Sequence, residues 1–178
     1  MLHPRSMTSP QLTPAELAAL ERGRFVALLG GVFEHAPWVA EEAFGAGPFH
    51  DVAALHGAMV EAVRRAPRAR QLALIRAHPD LAGRAAIGGE LTVASSAEQA
   101  SAGLDRCTPA EFERFRALND KYKERFDFPF ILAVKGRTRR EILAAFEQRL
   151  NNSADVELEE ALGQIARIAR LRLDDLIR

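Results

Sequence analysis

Four side chains in this sequence have the type and setting to act on a small polar molecule: His78, Glu98, Gln99 and Arg172. His78 stands in Ala77-His78-Pro79-Asp80-Leu81. A residue before proline is pushed out of the helical region, so the helix carrying Leu72, Leu74 and Ile75 should end there. A helix C-terminus favours the protonated imidazole by ~0.3–1 kcal/mol. That setting tunes a histidine near neutral pH, where it can both take and give a proton. The alternative is that His78 only caps the helix end.

Glu98 and Gln99 lie in Ser95-Ser96-Ala97-Glu98-Gln99-Ala100. Ser95 and Glu98 fit a capping box, in which a Ser or Thr and a Glu three residues on satisfy each other's backbone N–H groups. The plain role of Glu98 is to close that box. The same turn nevertheless gathers Ser95, Gln99 and unpaired N–H groups, a setting that binds anions. Its other residues are small, so a ligand can come close.

Arg172 is placed by a helical wheel at 100° per residue. Leu158, Ala161, Leu162, Ile165, Ile168, Ala169 and Leu176 share its face, and Arg167 and Arg170 lie opposite. A guanidinium on a core-facing stripe needs a partner, because an unpaired buried charge costs several kcal/mol. An internal carboxylate would serve, and so would an anionic or carbonyl-rich ligand. The wheel leaves both open.

Other candidates read as structural. Cys107 precedes Thr108 and is placed to pack on Phe112 as a hydrophobic staple. His35, His50 and His56 show no metal-ligand spacing, there is no cysteine pair, and no metal site is expected. No glycine cluster has the strand–loop–helix context of a phosphate loop. Lys+Arg and Asp+Glu both number 24, so a dominant nucleic-acid or anionic-membrane surface is not expected. No apolar run approaches the ~20 residues of a membrane span. The single cysteine fits a reducing compartment, and we expect a cytoplasmic protein.

The elements that must position these groups are helices. A chain of 178 residues reads as one domain that needs no disulfide or metal staple. Residues 1–12 form a tail without apolar period, and 13–178 form the domain. Capping boxes start helices at Thr13–Glu16, Ser95–Glu98, Thr108–Glu111 and Thr138–Glu141, with Pro14 and Pro109 at first helical positions. Asp51–Ala66, Pro67–Ala77 and Ser153–Ile177 also read as helices. Gly30-Gly31, Gly45–Pro48 and Gly88-Gly89 punctuate. Phe126–Val134 is aromatic and β-branched with Pro129 inside, so it should be extended and buried rather than helical. The expected fold is all-α: a single-domain bundle of about eight helices with one buried extended connector.

Three blocks carry a family resemblance: His78-Pro79-Asp80-Leu81-Ala82-Gly83, Ser95 through Ala100, and Phe126 through Gly136. With Asn119…Tyr122, Arg149-Leu150-Asn151-Asn152 and Ile168…Leu171-Arg172-Leu173, they resemble the signature of OHCU decarboxylases, in order and at similar spacing over about residues 13–177. OHCU is 2-oxo-4-hydroxy-4-carboxy-5-ureidoimidazoline. The resemblance implies an all-α homodimer that converts OHCU, made from urate, to (S)-allantoin and CO2 without metal or organic cofactor. It implies catalytic roles for His78, Glu98 and Arg172. It further implies substrate contacts at Pro79, at Ser95, Ser96, Ala97, Glu98 and Gln99, and at Phe130, Ile131, Leu132, Ala133 and Val134, the last stretch largely through backbone. A non-catalytic helical interaction module is the competing class, and metal-assisted hydrolysis of a neighbouring ureide is the competing chemistry.

Overall fold

A computed structural model describes residues 11–83 and 91–178. The first ten residues of the expected tail and the Gly88-Gly89 punctuation lie outside the described residues. Among the described residues nine α-helices run in order: α1 (Pro14–Ala18), α2 (Arg22–Leu29), α3 (Trp38–Phe44), α4 (Val52–Arg65), α5 (Arg68–Arg76), α6 (Val93–Ser101), α7 (Pro109–Phe126), α8 (Arg139–Arg149) and α9 (Ala154–Leu176). No strand occurs among the described residues, and the all-α expectation holds. Leu12, expected in the tail, is instead tied to the other end of the chain. Its N–H bonds to the Leu176 carbonyl at 2.8 Å, and Arg178 N–H bonds to its carbonyl at 3.0 Å.

Three of the four expected capping boxes form, at Thr13, Thr108 and Thr138. The fourth does not. Helix α6 starts earlier, with Thr92 as its cap and the Ser95 N–H donating to the Thr92 hydroxyl oxygen at 3.2 Å. Ser95 and Glu98 are drawn instead to partners on other elements, and a threonine three residues upstream is an equally good cap.

Helix α9 is the central post, packed against α4, α5 and α7. Its apolar stripe is buried as the wheel requires, Arg172 included, except for Leu176 at its end, which is half-buried. The stripe also buries Glu157 and Gln164, which the wheel did not single out.

The connector after α7 is non-helical, and Phe130, Ile131, Leu132 and Val134 are all at most 5% exposed. Asp127 ends α7 in the left-handed region at φ 60°, and Pro129 prevents continuation. Phe130 stacks on Phe146 of α8 with ring centroids 3.8 Å apart. The Arg149 guanidinium covers Phe130 at 4.4 Å and donates to the Ile131 carbonyl. Arg149 also clasps Glu157 through Nε, at 3.1 Å to each carboxylate oxygen, and through Nη2 at 2.8 Å. Tyr122 donates its hydroxyl to Glu157, and Asn152 adds a bond at 2.9 Å. Burying the Glu157 carboxylate costs several kcal/mol on its own, and these donors offset it. The network pins the connector against α9.

Candidate active site

His78 follows the last turn of α5, as the proline rule requires. Its ring is buried, and Nδ1 lies 3.1 Å from the carbonyl of Leu74. A carbonyl only accepts, so Nδ1 carries the proton. In the neutral ring Nε2 then keeps its lone pair, and it has no partner among the described residues. Capping the helix end and fixing the tautomer are thus one interaction. Burial pulls the imidazole down to a pKa of about 4, against the pull of the Leu74 carbonyl and the Glu34 charge. This corrects the expectation of titration near neutral pH. A helix-end dipole is worth at most ~1 kcal/mol, less than one pKa unit, and desolvation outweighs it.

The turn after His78 is held from three sides. Gln99 accepts from the Ala82 N–H at 3.0 Å and donates to the Asp80 carbonyl at 3.1 Å. Asn119 donates to the Leu81 carbonyl at 2.9 Å. Lys123 pairs with Asp80 at 2.6 Å. Ala82 sits at φ 50°, a strained position for a residue with a Cβ, and the clamps hold it there.

Arg172 projects from α9 into a ring of acceptors. Its Nε and Nη2 bond Glu98 at 2.7 and 3.0 Å, a two-pronged pair. Its Nη1 bonds the Val32 carbonyl at 3.2 Å and lies 2.9 Å from Glu34 Oε2. The Glu34 contact is an ion pair without an aligned hydrogen bond, since that oxygen has no hydrogen-bond partner among the described residues. Burial works against the guanidinium's charge, but Glu98 and Glu34 hold its pKa above the ordinary value. The internal carboxylate partner that the wheel allowed for Arg172 is therefore present, and the residue also lines a cavity. Glu34 was missed by the sequence reading. It lies on the loop between α2 and α3, and no periodicity marks it.

The cavity is lined by His78, Pro79, Leu81, Ser95, Glu98, Gln99, Phe130, Ile131, Leu132, Val134, Ile168 and Arg172. Its volume of about 30 Å³ holds little more than a water. Ser96 and Ala97 are exposed and Ala133 is half-buried, and none of the three lines it. Along the connector, the Ile131 carbonyl accepts from Arg149, the Ala133 N–H donates to Gln164 at 3.0 Å, and the Ala133 carbonyl accepts from Arg137 at 3.1 Å. In an extended chain successive residues point their polar groups to opposite edges, as in a strand ladder. Three polar groups on one edge are thus taken. The N–H and C=O of Leu132, on the other, have no partner among the described residues.

A buried imidazole with its Nδ1 proton held, a guanidinium ringed by carboxylates and a peptide edge with unused donors and acceptors meet around one small cavity, carried on an all-helical domain. Comparison with known proteins makes the class specific. The OHCU decarboxylase family model matches residues 18–174, and the chain belongs to that family. It is 43% identical to a 2-oxo-4-hydroxy-4-carboxy-5-ureidoimidazoline decarboxylase of Halalkalicoccus jeotgali, over 93% of this chain and 92% of the relative. A protein of the same name from Haloferax volcanii is 45% identical, over 92% and 95%. Among solved structures, an (S)-allantoin synthase superposes with TM-score 0.73 at 31% identity, over 93% of this chain and 54% of that one. Among the described residues no helix is long and apolar enough to cross a membrane, and no cluster of three or more His, Cys, Asp or Glu has metal-site geometry.

Proposed function

We propose that this protein decarboxylates OHCU to (S)-allantoin in urate breakdown, without metal or organic cofactor, with His78 as general acid/base. The observation that carries the reading is the His78 tautomer. With Nδ1–H committed to Leu74, the ring keeps a lone pair at Nε2 and stays neutral at pH 7.

The substrate supplies its own electron sink. The carbon bearing the carboxylate also bears a hydroxyl and adjoins a ring C=N. As the C–C bond to the carboxylate breaks, its electron pair forms a C=C bond to the ureido-bearing carbon. The C=N pair moves onto nitrogen, which takes a proton. His78 then accepts the hydroxyl proton and returns it to one face of the ureido-bearing carbon, leaving a carbonyl and a single enantiomer. Such proton transfer is worth ~10²–10⁴-fold. Arg172 stabilises the developing oxyanion, and Leu132 offers its N–H and C=O to the flat amide edges of the ring. Glu98, at the cavity's rim with 26% of its side chain exposed, leaves Arg172 to admit the substrate and orients its ureido N–H groups. Gln99 serves by clamping the His78–Ala82 turn.

A homodimer and a cytoplasmic location belong to the same reading and are supported by the family resemblance, the latter also by the single Cys107. The test is to supply freshly generated OHCU and follow optical activity at allantoin wavelengths. Rapid appearance of one enantiomer is expected. Racemic product at the uncatalysed rate would overturn the proposal and favour the interaction module.

A further inference from the structure

Arg172 carries two carboxylates, and they are not equivalent. Glu98 is a quarter exposed at the rim of the cavity, while the Glu34 side chain is 2% exposed. Glu34 Oε1 is held by the Thr92 hydroxyl at 2.7 Å and the Ser95 hydroxyl at 2.9 Å, both on the start of α6. The loop that bears Glu34 also supplies the Val32 carbonyl to the same guanidinium. One side of Arg172 therefore meets a buried carboxylate held by two hydroxyls, and the other a partly exposed one. We propose that Glu34 is a positioning residue for Arg172: its buried carboxylate is the fixed counter-ion that keeps the guanidinium in place when Glu98 leaves it for the substrate.

Glu34 differs from an incidental buried acid. A lone carboxylate at this depth is costly, and here it is retained with an oxygen that has no hydrogen bond among the described residues, 2.9 Å from Arg172 Nη1. If Glu98 were the sole counter-ion, its departure would leave a buried guanidinium unpaired and drawn toward solvent. With Glu34 in place the charge stays compensated through substrate entry, and the geometry at the reacting carbon is preserved. Glu34 meets no reacting atom in this scheme and acts only through Arg172. The inference rests on the reading that Arg172 serves the substrate.

A double-mutant cycle separates the two claims. Wild type, Glu34→Gln, Arg172→Gln and the double variant are assayed on OHCU, with rates normalised to the folded fraction from near-ultraviolet circular dichroism. Glutamine keeps an oxygen for Thr92 and Ser95 but removes the charge facing Arg172. Glu34→Gln is expected to lower kcat about tenfold or more with KM changed less than about threefold. In the Arg172→Gln background the same swap is expected to change kcat less than about twofold. Wild-type kcat in Glu34→Gln, or an equal loss in both backgrounds, overturns the proposal. Full activity in Arg172→Gln overturns instead the reading of the site itself. If Glu34→Gln does not fold, the cycle is run with Glu34→Asp, which keeps the charge but withdraws it by one methylene, and the same coupling to Arg172 decides.

Discussion

Arg172 and Glu98, 74 residues apart in the chain, meet in parallel bonds of 2.7 and 3.0 Å in the lining of the cavity that His78 also lines. The pair joins α9 to α6, and both residues line the cavity, so substitutions here separate binding roles from folding roles.

Removing Arg172 tests the deeper half of that arrangement. Truncation in Arg172→Ala strands Glu34 as a buried, uncompensated carboxylate. A loss of ~3–5 kcal/mol in denaturant unfolding is expected. Turnover per folded molecule should fall as well, by about 10²-fold or more. Normal turnover of the folded fraction would refute a substrate role.

Glu98→Gln and Thr92→Ala distinguish the cap of α6 from the cavity. Thr92→Ala should cost ~1–2 kcal/mol of stability, because it removes both the cap and a hydrogen bond to Glu34, with turnover of the folded protein reduced less than about threefold, since Ser95 still holds Glu34. Glu98→Gln should behave in the opposite way. Its stability should fall by no more than about 1 kcal/mol, since the pair is partly exposed, while turnover drops about tenfold or more. Thermal melts and steady-state rates on the two variants check the contrast.

His78→Asn should leave helical circular dichroism intact and cut OHCU turnover by ~10² or more. Asparagine can still donate to the Leu74 carbonyl but cannot exchange a proton. There is also a stability signature. The folded pKa, about 4, lies below the ordinary 6.5, so the unfolded chain binds the extra proton first. The native state's advantage is full above about 6.5 and is lost as pH falls toward about 4. Glu34 and Glu157, whose pKa values are lowered, lose stability in the same direction at the acid end of this window. The His78 share is therefore read as the difference between wild type and His78→Asn from pH 4 to 7. Equal slopes would mean that the ring is not buried neutral.

Glu157→Gln probes the connector. The carboxylate is fully buried and receives Arg149, Tyr122 and Asn152. Removing its charge leaves Arg149 buried without a counter-ion, at an expected cost of ~3–5 kcal/mol. Because Arg149 also holds the Ile131 carbonyl, KM for OHCU should rise even under conditions where the variant is folded. An unchanged melting temperature would show that the network is dispensable.

The sequence alone determined the parts that depend on near neighbours. Thr13, Thr108 and Thr138 announce helix starts because cap and partner are three residues apart. Pro79 ends α5 at His78 by steric contact with the preceding residue, and Pro129 makes the connector non-helical. The spacing of apolar residues on α9 was enough to turn Arg172 inward. What the tertiary structure decided depends on groups distant in the chain. Thr92 and Ser95 are both competent caps, and Ser95 is released from that role because Glu34 takes its hydroxyl. Glu98 has the spacing of a capping residue and is claimed instead by a guanidinium on α9. His78 sits at a helix end that favours its charged form, yet it is neutral because the packing around it removes water. Glu157 looks like an ordinary acid of a first helical turn, and only the arrival of Arg149 and Tyr122 reveals it as the anchor of the connector. Local sterics and hydrogen bonds are written in adjacent residues, whereas burial and the pairing of charges are set by which helices come to face one another.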